Sequence, residues 1–369
     1  GGELYVSGFR TYRDRNNSEV TDTLTAGTLE IGTGLHQNGR NEAFRAQDAH
    51  RTLITGAGAD HQASVSFDSP ASWMGILEAG DGASIDWEGY FNVQKLGSDV
   101  QIHTPAEEGG GISVYSNNGR VDFGGHTLTV DGNVKTVVGK LYVGGADLAG
   151  EGFDPEAAGA LTINGNLLQP EGAVIADGGR ITVTGDYRIQ HRNDAGDYSY
   201  GGGVLVMTNE NDYVKVEGEL YVSGFHDFRD RNDVYVENTL TAGTLELEGN
   251  FCQNGRREAF RASGSHRTIL RGDGVQAVQM ESADSWFNIL DLQNDLSEYI
   301  FGLVPCWAVL TRNGEPVGDE AVAAIPYTAS VNEKDKTLTI LSWKDESAEI
   351  VIPDQLNGYT VTGIGREVF

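Results

Sequence analysis

The sequence Leu-Tyr-Val-Ser-Gly-Phe occurs at residues 4–9 and again at 220–225, and each occurrence lies near the start of a much longer duplication. Residues 2–56 align with residues 218–272 at a constant offset of 216 positions, without a gap, and 34 of the 55 pairs are identical. Long internal repeats are typical of extended arrays in which each unit buries its apolar face against the next. The duplication therefore predicts an elongated, repetitive architecture.

A shorter pattern recurs within and between the copies: two apolar residues separated by one position, then any residue, glycine, and Asn, Asp or Glu. Period-2 alternation places the apolar side chains on one face of a strand, and the glycine is expected to supply the positive φ of a corner. Strand, corner and strand form one coil of a β-solenoid. Eight residues of this pattern are expected to stack in one interior: Leu128, Val130, Leu161, Ile163, Ile181, Val183, Leu245 and Leu247.

The composition restricts the class of partner. The net charge of −28, from 54 acidic and 26 basic residues, argues against nucleic acid and anionic membranes, because both require clustered Lys and Arg. No stretch is long and apolar enough to insert into a bilayer. An acidic surface suits a salty exterior and attracts Ca²⁺. Cys252 and Cys306 are too few for a disulfide framework, and they are either free or one bridge.

Four aspartates in polar loops are candidate calcium ligands: Asp14, Asp230, Asp194 and Asp197. Their loops match no known calcium-loop spacing. The segment at 13–16 recurs at 229–232, and a unique active site is rarely duplicated with its scaffold. An Asx-type or ion-paired turn is the favoured alternative. No other metal and no organic cofactor is predicted.

Aromatic and histidine side chains provide further candidates. Tyr198 and Tyr200, in a Gly/Asp-rich loop, could stack against a sugar, although an exposed aromatic loop without a ligand is the favoured alternative. His50 and His266 occupy equivalent places in the two copies, so we expect structural hydrogen-bonding groups rather than catalytic bases. No catalytic residue is assigned.

The pattern changes at about residue 296, where a hairpin is predicted around Asn313-Gly314. The end of the chain resembles the start of a BspA-type leucine-rich repeat array, found in secreted and surface proteins of bacteria. The matching residues are Ile350, Ile352, Pro353, Asn357, Gly358, Tyr359, Val361, Thr362, Ile364, Gly365 and Phe369. Val368 departs from the family, which mostly has Ala there, and at most one repeat is present.

Residues 1–295 resemble the glycine-rich repeats of adhesin-like surface proteins of Gram-positive anaerobes. These proteins share the Leu-Thr-Val-x-Gly-Asn strings and the phrase Thr-Leu-Thr-Ala-Gly-Thr-Leu-Glu, found here at 239–246. The resemblance implies an extracellular, cell-surface location and no catalytic residue. A host or neighbouring-cell surface protein or glycan is the partner class that it implies.

Together these observations predict an all-β chain of three parts. A right-handed parallel β-helix, or β-solenoid, spans 1–295 and contains the duplication of 2–77 as 218–290. A β-hairpin junction over 296–345 and the first leucine-rich repeat at 346–369 follow.

The predicted function is a non-catalytic stalk or adhesive module. The alternative is a carbohydrate-active or carbohydrate-binding β-helix, similar to a polysaccharide lyase or glycosidase. A surface groove lined by several carboxylates and aromatics would favour that alternative. Two similar halves with a continuous apolar interior would favour the scaffold.

Overall fold

The computed structural model describes residues 2–9, 11–21, 23–58, 60–104, 111–144, 158–229, 233–344, 350–366 and 368. Strands hold 50% of the chain and helices 2%, which confirms the prediction of an all-β protein. The helices among the described residues are a short 3₁₀ helix, Leu296–Glu298, and α1, Asp319–Ala323. Among the described residues, none of the helices has the length and apolar character needed to cross a membrane.

The strands are β1 (Leu4–Val6), β2 (Tyr12–Arg13), β3 (Glu19–Val20), β4 (Thr28–Ile31), β5 (Gly34–Gln37), β6 (Arg51–Ile54), β7 (Gln62–Phe67), β8 (Met74–Ala79), β9 (Ser84–Phe91), β10 (Val93–Leu96), β11 (Val100–His103), β12 (Ile112–Asp122), β13 (Thr127–Asp131), β14 (Val134–Tyr142), β15 (Ala160–Ile163), β16 (Leu167–Leu168), β17 (Ala173–Ile175), β18 (Arg180–Val183), β19 (Tyr187–Arg192), β20 (Tyr198–Tyr200), β21 (Val204–Val206), β22 (Tyr213–Val216), β23 (Leu220–Val222), β24 (Phe228–Arg229), β25 (Tyr235–Val236), β26 (Thr244–Leu247), β27 (Phe251–Gln253), β28 (Arg267–Leu270), β29 (Gln276–Met280), β30 (Phe287–Leu292), β31 (Tyr299–Phe301), β32 (Trp307–Arg312), β33 (Glu315–Pro316), β34 (Tyr327–Asn332), β35 (Thr337–Trp343), β36 (Gln355–Leu356) and β37 (Tyr359–Ile364).

Most of these strands stack in parallel into three ladders. Ladder 1 runs β1-β5-β7-β9-β11-β13-β15-β18-β22-β26-β28-β30-β32. Ladder 2 runs β4-β6-β8-β10-β12-β14-β17-β21 and continues through single-residue bridges from Met207 to Leu240 and Ala262. Ladder 3 runs β9-β12-β14-β16-β19-β23-β27-β29-β31, so the long strands β9, β12 and β14 serve two ladders each. The chain passes ladders 2, 1 and 3 in turn, which gives a solenoid-like parallel architecture.

The interior is a continuous stack of apolar side chains. All eight residues predicted to stack there are at most 1% exposed, which confirms the interpretation of the alternating pattern. In ladder 1 the register places Leu161 on Ile181, Ile181 on Val214, and Val214 on Leu245. Each coil therefore covers the apolar face of the next, as burial of nonpolar surface requires.

Of the five glycines of the short pattern, Gly132 has the predicted positive φ, at 138°, and the other four have a different role. Gly185, Gly218 and Gly249 do not have the expected positive φ. They are stacked so closely that a Cβ on Gly218 would lie 2.5 Å from the carbonyl carbon of Gly185, and one on Gly249 would lie 2.1 Å from the oxygen of Gly218. The side chain of the residue after the glycine forms a hydrogen bond to the same corner of the next coil. For example, Asp186 Oδ1 accepts a hydrogen bond from the backbone N–H of Glu219 at 3.0 Å. Close approach of stacked backbones, rather than left-handed conformation, selects glycine there.

The two copies of the duplication have equivalent strands but join different ladders. Residues 28–31 form β4 in ladder 2, whereas residues 244–247 form β26 in ladder 1. Likewise β1 belongs to ladder 1 and its equivalent β23 to ladder 3. The second copy is therefore displaced by one side around the axis, because 216 residues fill eight coils and one further side.

The divergent loops of the two copies form equivalent hairpins. β2 pairs with β3 and β24 with β25 in the same antiparallel register, Tyr12 with Val20 and Phe228 with Val236. Eight of the thirteen residue pairs in 10–22 and 226–238 differ, yet these paired strands keep one register. Because backbone pairing tolerates most side chains, both copies form the hairpin although its sequence differs between them.

The C-terminal part forms a separate small sheet. The predicted hairpin around Asn313 and Gly314 joins β32 to β33, and both residues have positive φ. The following sheet has the order β34-β35-β37-β36 and its own apolar cluster, whose buried members are Ile300, Ala329, Leu338, Ile340, Tyr359 and Val368. Both cysteines are free. Burial raises the pKa of the Cys252 thiol to about 12, so it stays protonated at neutral pH.

Candidate functional site

Each copy of the duplication forms a surface groove from the same two loops. The first groove, of about 470 Å³, is lined by Gly8, Phe9, Thr11, Gly39, Arg40, Asn41 and Glu42. The second, of about 790 Å³, is lined by Tyr200, Gly224, Phe225, His226, Asp227, Gly255, Arg256, Arg257, Glu258 and Asp284. Five positions are identical at the offset of 216: two glycines, a phenylalanine, an arginine and a glutamate. We call these two sites the twin grooves.

A buried glutamine fixes the arginine loop in both grooves. Gln37 donates a hydrogen bond from Nε2 to the Arg40 carbonyl at 2.9 Å, and Gln253 donates one to the Arg256 carbonyl at 2.7 Å. Both amide side chains are at most 1% exposed. The residue before each arginine is a glycine with φ near 77°, which turns the loop outward. The arginines are thus placed by groups that belong to the repeated scaffold.

The central feature of each groove is a guanidinium stacked on an exposed phenyl ring. Arg40 Cζ lies 3.6 Å from the centroid of the Phe9 ring, and Arg256 Cζ lies 3.9 Å from that of Phe225. Phe9 is 72% exposed and Phe225 is 40% exposed. A cation–π contact at an exposed site contributes about 0.5–1 kcal/mol. The contact holds each guanidinium over its ring.

The acidic side chains of the second groove all have partners. Asp227 accepts a hydrogen bond from the Tyr235 hydroxyl, Asp284 lies 3.4 Å from Arg257 Nε, and Glu258 lies 3.1 Å from Arg261 Nη1. In contrast, neither Arg40 nor Arg256 forms an ion pair with an acidic side chain in the part of the chain that the structure describes. The stacked arginine is therefore the group of the groove whose charge is left without a counter-ion.

Of the two tyrosines that could stack against a sugar, Tyr200 lines a groove. Tyr200, at the end of the β19–β20 hairpin, is 63% exposed and its ring centroid lies 5.6 Å from Arg256 Cζ. Tyr198 lies against Arg188 instead, with 4.4 Å between Cζ and ring centroid. The two side chains therefore do not form one platform. Arg256 also donates from Nε to the carbonyl of Gly201 at 3.3 Å, which joins the hairpin to the second groove.

Three of the four candidate calcium ligands lie among the described residues, and they occupy two separate turns. Asp14 Oδ1 accepts hydrogen bonds from the backbone N–H groups of Asn16 and Ser18, both at 2.8 Å, which is an Asx-type turn. Asp194 and Asp197 lie in the turn between β19 and β20, where the Asp197 N–H donates to Asn193 Oδ1 at 2.9 Å. Asp230 lies outside the described residues. Among those residues, no three His, Cys, Asp or Glu side chains are grouped so that they could hold a metal ion.

The repeated histidines are not the hydrogen-bonding groups that we expected. His266 is fully buried, and within the described chain neither of its ring nitrogens has a hydrogen-bond partner. Its ring packs edge-on against Phe260, with centroids 6.2 Å apart, and His50 packs in the same way on Phe44 at 6.4 Å. Burial lowers the pKa of His266 to about 3. Both histidines act as neutral rings in the apolar interior.

The sequence contained one signal for the twin grooves that the prediction did not use. The Gly-Phe and Gly-Arg pairs are identical in both copies although they follow the strands rather than fill the core. Residues repeated at exposed turns are better markers of a site than residues repeated with the interior. Comparison with protein-family models, curated protein sequences and solved structures finds no match to this chain.

Proposed function

We propose that this chain is a non-catalytic structural and adhesive module: a right-handed β-helix that holds binding surfaces away from a bacterial cell. The observation that supports this proposal is the continuity of ladder 1, whose thirteen strands stack without interruption from β1 to β32. Twelve steps of about 4.8 Å give a stack of about 58 Å. Such a ladder transmits force along its axis through backbone hydrogen bonds, which suits a stalk.

The proposal extends to the location and organisation of the parent protein. The net charge of −28 keeps a rod soluble outside the cell and repels other polyanions. The resemblance to adhesin-like repeats supports a solenoid over residues 1–295. We extend the proposed solenoid to Arg312, because β31 pairs in parallel with β29 and β32 with β30, and the proposed junction then covers residues 313–345. Residues 346–369 would then begin a leucine-rich repeat array, which needs several units for stability.

Small-angle X-ray scattering of the purified chain tests the rod. The maximum dimension should exceed that of a compact protein of 369 residues, and the cross-sectional radius should fit a single solenoid. A pair-distance distribution that is symmetric, as for a sphere, would contradict the elongated module.

A carbohydrate-active β-helix is the second candidate, because Asp227, Glu258 and Asp284 line the second groove beside Phe225 and Tyr200. Incubation with a panel of polysaccharides, with and without Ca²⁺, distinguishes the two functions. The scaffold predicts no release of reducing ends or unsaturated sugars. Product release that is abolished by Glu258→Gln or Asp284→Asn, but retained in Asp194→Asn and Asp197→Asn, would establish an enzyme at the second groove.

A further inference from the structure

We infer that the twin grooves are two related binding sites, built on the same Phe–Arg pair, for an acidic polysaccharide whose sugar rings carry carboxylates, and that they face different sides of the rod. The inference rests on the proposed function, since it names the ligand of the adhesive surface. It starts from the pair of residues that both copies keep at exposed positions: Phe9 with Arg40, and Phe225 with Arg256.

The charges of the groove favour an anionic ligand. In a chain of net charge −28, each groove presents one guanidinium that has no acidic partner among the described residues, while the carboxylates of the second groove are already engaged. A guanidinium that is held over a ring offers parallel N–H donors in the geometry that a carboxylate accepts in a bidentate manner. A single arginine fork with no neighbouring lysine suits one carboxylate at a time.

The aromatic side chains of the groove favour a sugar ring beside that carboxylate. Phe225 and Tyr200 flank Arg256, with 3.9 Å and 5.6 Å from Cζ to the ring centroids. These rings present flat apolar faces in an open groove rather than a closed pocket that would take a peptide side chain. The C–H face of a pyranose stacks on such a surface while its carboxylate reaches the guanidinium. A uronate unit supplies both groups within one residue of the polymer.

The ladders decide how the two sites are arranged. The first groove follows β1 and β5 of ladder 1, whereas the second follows β23 and β27 of ladder 3. Eight steps of ladder 1 separate β1 from β22, which directly precedes β23, so the sites lie about 38 Å apart along the axis. A short oligomer cannot reach both, so the sites bind it independently.

Isothermal titration of the full chain with short polygalacturonate oligomers, in EDTA to exclude Ca²⁺ bridging, tests the inference. Two oligomers should bind per chain without cooperativity. Arg40→Lys or Arg256→Lys, which keep the charge but lose the fork, should each weaken one site at least about tenfold, and the double variant should weaken both. Arg312→Lys, on β32 outside both grooves, is the matched control and should bind as the wild type does.

Two further ligands decide the chemistry. The fully methyl-esterified oligomers keep the rings but lose the carboxylates, and they should not bind measurably. Poly-glutamate keeps the carboxylates without the rings and should bind at least about tenfold more weakly. Three results would each overturn the inference. Poly-glutamate could bind as tightly as the polygalacturonate oligomers, the esterified oligomers could do so, or the double variant could keep the affinity of the wild type. Any of these results would leave the scattering test of the rod unaffected, so the failures of the two proposals are distinguishable.

Discussion

The buried histidine His266 should make the stability of the fold depend on pH in a defined direction. Burial lowers its pKa in the folded state to about 3, whereas an unfolded chain has a histidine pKa of about 6.5. Between these values the unfolded state binds a proton that the folded state does not bind. The free energy of unfolding therefore falls as pH falls from about 6.5 towards 3. Above pH 6.5 the histidine is neutral in both states, so the stability of the folded state is fully present there.

The magnitude follows from the width of that window. Well inside that window, each pH unit of acidification lowers the free energy of unfolding by about 1.4 kcal/mol. Lowering the pH from 7 to 4.5 therefore lowers it by on the order of 2–3 kcal/mol. Asp212 acts in the opposite sense, because burial raises its pKa to about 6 and the folded state then binds the additional proton. The effect of His266 is consequently obtained as the difference between the wild type and a variant that lacks the imidazole.

The measurement is denaturant unfolding of the wild type and His266→Leu at pH 7 and pH 4.5, followed by circular dichroism. Between the two pH values, the free energy of unfolding of the variant should fall by about 2–3 kcal/mol less than that of the wild type. His191→Leu, at an exposed position, is the control and should keep the full pH dependence. If His266→Leu and the wild type lose equal stability on acidification, the buried ring is not responsible, and the reasoning from its burial is wrong.

Three further predictions follow from the stacked coils. Val183→Asp places an unpaired carboxylate in the interior and should cost several kcal/mol, seen as loss of hydrogen-exchange protection in adjacent coils, whereas Thr182→Asp on the other face of the same strand should not. Gly218→Ala should lower the melting temperature because its Cβ would lie 2.5 Å from backbone, while Gly318→Ala, with nothing within 4 Å of its Cβ, should leave it unchanged. Gln253→Leu removes the hydrogen bond that fixes the arginine loop of the second groove, so it should weaken oligomer binding there and leave the first groove intact.

Local sequence patterns are sufficient to predict part of this fold. Alternating apolar residues identified strands and interior positions correctly from Leu128 to Leu247, because the direction of a side chain in a strand follows from its position alone. The hairpin at Asn313-Gly314 was predictable for the same reason, since its turn needs only two adjacent residues with positive φ.

Contacts between coils depend on the stacking of distant segments, which no local pattern specifies. Phe9 and Arg40 lie 31 positions apart and meet because one coil stacks on the previous one, so their contact depends on the length of every segment between them. The same dependence places β4 in ladder 2 and its equivalent β26 in ladder 1, and so turns the twin grooves to different sides. The burial of His266 without a hydrogen-bond partner likewise arises from the packing of neighbouring coils, which a repeated His-Arg-Thr string does not specify.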